Sequence, residues 1–96
     1  MKRKIKVGII GGAGYTGGEL IRLLINHPNM EISFVHSNSN AGKKISEVHR
    51  DLLLETDMKF SDEILTDIDV LFLCVAHGDS VKFLEKNKIQ AGVKII

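Results

Sequence analysis

The sequence predicts an α/β domain with a parallel central sheet, and three observations support this expectation. The β-branched run Ile5–Ile10 is typical of a buried strand, and two glycines follow it directly. From Tyr15 onward, the apolar residues recur at helical spacing instead. Residues 70–75 are continuously apolar, which is typical of a strand whose two sheet faces are both covered by helices.

The first half of the chain then continues as a helix, a strand and a loop. The helix that begins near Tyr15 is expected to end at residues 26–29, because a proline pushes the residue before it out of the α region. A second strand is predicted over residues 31–37, and the polar residues 38–42 are predicted to form a loop.

The middle of the chain is less regular. Residues 46–55 predict either a short helix or a covering loop, and residues 58–60 are a candidate for a short edge strand. Ser61 or Asp62 is expected to cap a turn of helix that runs through Leu65.

The last third predicts another strand, helix and strand. A strand over residues 69–76 precedes a helix that Asp79 or Ser80 would cap and that runs through Lys86. A further strand begins at residues 93–96, and the sequence stops inside it. This alternation indicates right-handed βαβ units in a Rossmann-like sheet of order 3-2-1-4-5, incomplete at the C-terminus. We therefore expect one domain from a longer chain, whose uncovered strand edge would favour self-association.

Composition and charge narrow the class of function. The chain is 44% hydrophobic and 26% charged, as in ordinary globular proteins. Its net charge of +1 gives no electrostatic reason to expect a nucleic-acid or membrane partner. No segment approaches the roughly 20 apolar residues of a membrane helix. The single cysteine, Cys74, cannot form an internal disulfide, and this favours the reducing cytoplasm.

Residues 12–17 match the pattern G-x-G-x-x-G between the first predicted strand and its helix, the context that dinucleotide binding requires. Gly12 would allow the tight turn, Gly14 would let a phosphate approach the backbone, and Gly17 would let the helix pack closely. The free amides at the helix start would hold the pyrophosphate. Residues 1–96 are therefore predicted to be a dinucleotide-binding domain, the alternative being a glycine turn that only closes βα packing.

The end of the second strand bears on which dinucleotide binds. In NAD-binding domains an acidic residue stands there, about 20 residues beyond the glycine turn. This sequence has Ser37, Asn38 and Ser39 instead, with Lys43 and Lys44 close behind. Hydroxyls, an amide and ammonium groups accept a 2′-phosphate that a carboxylate would repel, so the pattern favours NADP over NAD. The alternative, preferred for Lys44, is that the lysines are merely solvated.

The residues after the fourth predicted strand form a second candidate contact. His77 and Gly78 would lie in the crevice where ligands of open α/β sheets bind. For His77 we expect contact or positioning and not catalysis, because the chain shows no proton-transfer partner. Cys74 lies among apolar residues and is interpreted as an inert core thiol.

The other titratable residues suggest no site. Three histidines on unrelated elements lack metal-ligand spacing and are expected at the surface or in loops: His27, His36 and His49. Five acidic residues are interpreted as solvated faces and caps: Asp57, Asp62, Glu63, Asp67 and Asp69. The sequence thus predicts no metal site.

Several segments, in this order, resemble one known family. They are Gly-Gly-Ala-Gly-Tyr-Thr-Gly-Gly-Glu-Leu at 11–20, His-Pro at 27–28, Ala-Gly-Lys at 41–43, Ser-Glu-Val-His at 46–49, Val-Leu-Phe at 70–72 and Ala-His-Gly at 76–78. Over nearly the whole chain, the sequence resembles the amino-terminal NADP-binding domain of the N-acetyl-gamma-glutamyl-phosphate reductases.

The resemblance implies a homo-oligomeric enzyme of arginine biosynthesis that uses NADPH to reduce a small-molecule acyl phosphate to a semialdehyde, through a cysteine thioester. It also implies three groups of cofactor contacts. Gly12, Gly14, Tyr15, Thr16 and Gly17 would line the phosphates, Ser37, Asn38 and Ser39 the adenosine ribose, and His77 and Gly78 the middle of the cofactor.

This chain departs from the family pattern in two ways. Many members carry an arginine for the 2′-phosphate within the stretch that here reads Ser-Asn-Ser-Asn at 37–40. The family's catalytic cysteine and histidine would lie beyond residue 96, and Cys74 does not match the Pro-Gly-Cys motif. The alternatives are a relative of aspartate-semialdehyde dehydrogenase or of aminoadipyl-phosphate reductase, and a non-catalytic nucleotide-sensing module.

Overall fold

The computed structural model describes residues 4–75, 77–86, 89 and 92–96. In the described residues the strands are β1 (Ile5–Ile10), β2 (Met30–His36), β3 (Val70–Leu73) and β4 (Lys94–Ile95). The helices are α1 (Tyr15–Leu24), α2 (Ile45–Val48), the 3-10 turn Arg50–Leu52 and α3 (His77–Lys86). None of the helices in these ranges has the length and apolar character needed to cross a membrane.

The strands form one parallel sheet in the order β2-β1-β3-β4, so the expected Rossmann-like class is confirmed. This is the predicted order 3-2-1-4-5 without strand 3, the edge strand predicted over residues 58–60, because these residues form no strand of the sheet. Instead, Ser61 makes a single parallel bridge to His36, at the carboxyl end of β2. Beside β2, where the edge strand was predicted, the chain therefore makes one isolated bridge.

The backbone hydrogen bonds of residues 58–60 explain why this strand is absent. The amide of Phe60 donates to the carbonyl of Lys43 at 2.9 Å, and the amide of Ile45 donates to the carbonyl of Met58 at 2.9 Å. These groups are therefore paired with the segment before α2 and not with β2. Ser61 alone continues to the sheet, donating to the carbonyl of Val35 at 2.9 Å.

Two predicted helix starts also differ from the structure. No turn of helix forms after Ser61, whose hydroxyl instead accepts a hydrogen bond from the amide of Glu63 at 3.0 Å. Helix α3 begins at His77, so Asp79 and Ser80 lie inside its first turn and do not cap it. Residues 46–55 adopt the short-helix alternative, as α2 followed by the 3-10 turn.

Both faces of β1 are buried, as its apolar sequence predicts. Val7 and Ile9 are fully buried in one core cluster with Ile21 of α1, and Ile10 packs on the other face with Leu71 of β3. Burying one such aliphatic side chain stabilises the fold by about 1.5–3 kcal/mol. The glycine turn that follows β1 is therefore mounted on the most deeply buried strand of the sheet.

Residues 45–52, which we call the covering segment, complete the first core cluster. Its two ends are anchored by Ile45 and Leu52, which are 1% and 3% exposed. Between them, the segment carries His49 into the protein beside the glycine turn.

Candidate functional site

The glycine turn, residues 11–17, joins the carboxyl end of β1 to the start of α1. The amides of Gly11 and Gly12 both donate to the carbonyl of His36, the last residue of β2, at 3.2 and 3.1 Å. Gly11 has a φ of +81°, so it provides the left-handed conformation that the chain needs to turn. The left-handed residue of the turn is thus Gly11, which precedes the motif at residues 12–17.

Gly12 and Gly17 are required by close packing. A Cβ atom on Gly12 would lie 2.0 Å from Val35 Cγ1, so the turn lies directly on β2. A Cβ atom on Gly17 would lie 2.5 Å from the carbonyl oxygen of Gly11, which confirms the predicted packing of the helix on the turn. Both glycines therefore serve the fold.

Gly14 differs from these two because the packing around it leaves room for a side chain. A Cβ atom there would have only the Gly11 carbonyl oxygen within 4 Å among the described residues, at an ordinary 3.6 Å. Its φ of −80° and ψ of 175° are open to any residue. Nothing in the described structure thus requires glycine here, whereas a phosphate that approaches the backbone would.

The start of α1 faces the same space and attracts anions. The amides of Tyr15, Thr16 and Gly17 lie in the first turn of α1. No helical carbonyl four residues earlier is available to accept their hydrogen bonds, so they are free for a ligand. The first turn carries no acidic residue, and the cap, Gly14, has no side chain to bond these amides. The amides and the positive end of the helix dipole together favour a phosphate group at this point.

A cleft of about 440 Å³ lies at the carboxyl ends of β1, β2 and β3. The glycine turn contributes Gly11 to its lining, and the end of β2 contributes Ser37, Asn38 and Ser39. Of the predicted contacts, residues 37–39 therefore line this cleft, whereas its lining among the described residues includes none of the predicted phosphate contacts Gly12, Gly14, Tyr15, Thr16 and Gly17. Open α/β sheets bind their ligands in a crevice at this edge.

A neighbouring cleft of about 460 Å³ shares four lining residues with the first: His36, Asn38, Asp79 and Phe83. Lys82 and Lys86 of α3 line it, and the sequence reasoning missed both of them. Their four-residue spacing on a predicted helix was the available signal, because it places both ammonium groups on one helix face.

Lys43 and Lys44 lie away from these two clefts. Within the described residues, the lining of the clefts includes neither lysine. The carbonyl of Lys43 pairs with Phe60, and the amide of Lys44 donates to Glu47 at the start of α2, at 2.7 Å. Both side chains are exposed, so a contact of Lys43 with a ligand stays a prediction.

The expectation of surface or loop histidines was wrong for His49, which is buried, whereas His36 is partly exposed at the end of a strand. His36 ends β2 and lines both clefts. Its ring lies edge-on to the ring of Phe83, with 6.4 Å between the ring centroids. Burial lowers the pKa of His36, and nearby Asp62 only partly opposes this, so the ring is neutral at pH 7. His27 does lie in a loop, where its Nδ1 accepts a hydrogen bond from the amide of Asn29.

His49 is almost fully buried, with 7% of its surface exposed. Its ring nitrogen Nε2 lies 2.7 Å from the carbonyl oxygen of Gly12, and its ring is edge-on to Phe60 at 6.3 Å. Sequence reasoning missed this contact, because it depends on the tertiary packing of His49 against the glycine turn.

The remaining predicted residues take the following places. Burial raises the pKa of the half-buried Cys74, directly after β3, which agrees with an inert thiol. His77 is the first residue of α3, Gly78 is exposed in its first turn, and Ala76 lies outside the described residues. Tyr15 is 84% exposed at the start of α1.

The acidic residues serve different places in the fold. Asp67 and Asp69 bind the side chain and the amide of Lys6, at 2.9 and 2.8 Å, near the amino end of β1 and away from the clefts. Asp62 lines the second cleft and is exposed, as expected for a solvated residue. Among the described residues there is no group of three or more side chains that would bind a metal ion.

Comparisons with known proteins agree with this geometry. A family model described as the NAD binding domain of semialdehyde dehydrogenase matches residues 6–96. N-acetyl-gamma-glutamyl-phosphate reductases of Phocaeicola vulgatus and Bacteroides fragilis are 60% and 63% identical to this chain over 93 residues, 96% of its length. The chain spans 29% of the length of these relatives.

A solved structure has a similar fold. It is an aspartate semialdehyde dehydrogenase with NADP from Candida albicans, and it is similar to this chain with a TM-score of 0.75 and 27% sequence identity. The likeness covers 96% of this chain and 28% of that one.

Proposed function

Because the chain belongs to the family of semialdehyde dehydrogenase NAD-binding domains, we propose that it binds NADP as part of an N-acetyl-gamma-glutamyl-phosphate reductase. The observation that carries the proposal is the open space at Gly14, beside the first amides of α1. The residues fit a dinucleotide there, since a pyrophosphate takes the room that a side chain would fill. The chemistry this cofactor supplies when bound is hydride transfer.

We assign the proposed contacts by region. The amides of Tyr15, Thr16 and Gly17 hold the pyrophosphate beside the room at Gly14, and Gly12 supports the turn, because its own amide donates to the His36 carbonyl. The adenosine ribose and its 2′-phosphate lie by residues 37–39, with Lys43 as a further cation. His77 and Gly78 lie near the middle of the cofactor, at the start of α3.

The choice of NADP over NAD rests on charges at the adenosine end. No carboxylate stands at Ser37, Asn38 or Ser39. The adjoining cleft is lined by two lysines, Lys82 and Lys86, and by two aspartates, Asp62 and Asp79, so its charges balance and the choice rests on residues 37–39. Titration with NADPH and NADH, followed by fluorescence, tests this choice. We expect NADPH to bind more tightly, and tighter binding of NADH would contradict the proposal.

The activity we propose for the whole protein is the reduction of an acyl phosphate to a semialdehyde in arginine biosynthesis. The support is that relatives at 60% and 63% identity are N-acetyl-gamma-glutamyl-phosphate reductases. We place no catalytic residue in the described chain, since burial raises the pKa of Cys74 and so weakens it as a nucleophile. We further propose a cytoplasmic homo-oligomer with no nucleic-acid or membrane partner.

One alternative has an observation in its favour. The solved relative is an aspartate semialdehyde dehydrogenase, which shares the fold at lower identity. Assaying NADP reduction with N-acetylglutamate semialdehyde and with aspartate semialdehyde, each with inorganic phosphate, separates the two. We expect turnover of the acetylated substrate, and a preference for the aspartate compound would favour the alternative.

A further inference from the structure

We infer that His49 is a positioning residue of the pyrophosphate site, which acts by holding the carbonyl of Gly12 and so fixing the turn whose amides face the cofactor. The inference rests on the proposed function, because it concerns a dinucleotide bound at the glycine turn. It assigns a role to the covering segment, which lies behind the turn and lines neither cleft.

The first step is the hydrogen bond itself. His49 Nε2 lies 2.7 Å from the Gly12 carbonyl oxygen in a site where His49 is 7% exposed. A carbonyl oxygen only accepts, so Nε2 must carry the proton and donate it. The amide on the other side of Gly12 donates to the carbonyl of His36 at 3.1 Å. Gly12 is therefore held on one side by β2 and on the other by His49.

The second step is the fit of the ring. A Cβ atom on Gly18 would lie 2.5 Å from His49 Cε1 and 2.7 Å from Nδ1, so the imidazole lies directly against the backbone of α1. The imidazole also lies edge-on to the ring of Phe60, with 6.3 Å between the ring centroids. The imidazole thus contacts the chain before and after Gly14, and it links the two arms of the turn.

The third step is the anchoring of the covering segment, which keeps the ring in place. The amide of His49 donates to the carbonyl of Ile45 at 2.8 Å, and Ile45 is 1% exposed in the core. Two residues later, Asp51 binds Arg22 of α1 through both carboxylate oxygens, at 2.6 and 2.9 Å. The donor nitrogen of His49 is therefore held in register with α1, whose first amides face the proposed phosphate.

The test compares two replacements of similar length in the full chain. His49→Gln places an amide nitrogen near the position of Nε2 and keeps a donor, whereas His49→Met fills similar space without one. Binding is measured by calorimetry with ADP-ribose, which contains the pyrophosphate, and with 2′-AMP, which does not. His27→Met is the matched control, since His27 lies in the loop after α1.

We expect His49→Met to weaken ADP-ribose binding about tenfold, the effect of one buried hydrogen bond, and to leave 2′-AMP binding unchanged. His49→Gln is expected to retain affinity within about threefold, and His27→Met to match the wild type. An equal loss for both ligands would mean that His49 only stabilises the fold, and this would overturn the inference.

A second measurement applies even if His49→Met does not fold. Imidazole nitrogen NMR of the wild-type chain should show the His49 proton on Nε2, with resonances that shift when ADP-ribose binds and not when 2′-AMP binds. A proton on Nδ1 alone, or no response to ADP-ribose, would contradict the inference. If the wild type binds no ADP-ribose, the proposed function fails. If it binds and His49→Met binds equally, only the role of His49 fails.

Discussion

On one side of the cleft the glycine turn is held by backbone contacts, whereas on the other side residues 37–39 present polar side chains. The turn is fixed by the His36 carbonyl and by packing that leaves no room for a Cβ atom at Gly12 or Gly17. Facing it, Asn38 and Ser39 are exposed. The turn fits the pyrophosphate that all dinucleotides share, and the polar side fits the ribose group by which they differ.

The largest effect is expected from breaking the packing of the turn. Gly17→Ala places a Cβ atom 2.5 Å from the Gly11 carbonyl oxygen, so backbone must move. We expect the free energy of unfolding to fall by about 2–3 kcal/mol, measured by urea denaturation. Gly78→Ala is the control, because a Cβ atom there meets no described atom within 4 Å. Equal stability of the two variants would contradict the packing role of Gly17.

A replacement at Gly14 should separate binding from stability. Gly14→Val fits the fold, since the nearest described atom to its Cβ is 3.6 Å away, but it fills the space of the pyrophosphate. We expect NADPH affinity to fall more than about a hundredfold, while the free energy of unfolding changes by less than about 0.5 kcal/mol. Unchanged NADPH affinity would remove the glycine turn from the proposed site.

The turn shows what sequence reasoning reached and what it did not. The motif predicted the strand, the helix and the packing of Gly17, because local spacing determines these. The left-handed residue of the turn is Gly11, which precedes the motif. The amides of Gly11 and Gly12 both donate to the His36 carbonyl, and the motif did not predict this contact because it joins residues distant in sequence. The burial of His49 was missed for the same reason, since it arises only from tertiary packing, although the short helix before it was one of the two predicted alternatives.

The polar side of the cleft is tested by one added charge. Asn38→Asp changes little in size and places a carboxylate in the lining of both clefts. Repulsion of the 2′-phosphate should lower NADPH affinity about tenfold and leave NADH affinity nearly unchanged. Asn26→Asp is the control, since Asn26 is exposed in the turn after α1. A parallel loss of both cofactors would mean that residue 38 does not distinguish them.

The smallest effect is expected at His36, where the two sides meet. Its carbonyl holds the turn and its ring lines the cleft, where burial lowers the pKa below the ordinary value of 6.5. The folded chain therefore binds fewer protons there than the unfolded chain, so this contribution to stability is present above pH 6.5 and is lost as the pH falls below it. Because the ring is partly exposed, the loss should be less than about 0.5 kcal/mol. Urea denaturation at pH 7.5 and 5.5 measures this loss. Between these two pH values, the free energy of unfolding should change less in His36→Gln than in the wild type. An equal change would show that His36 is as solvated as the polar loop beside it.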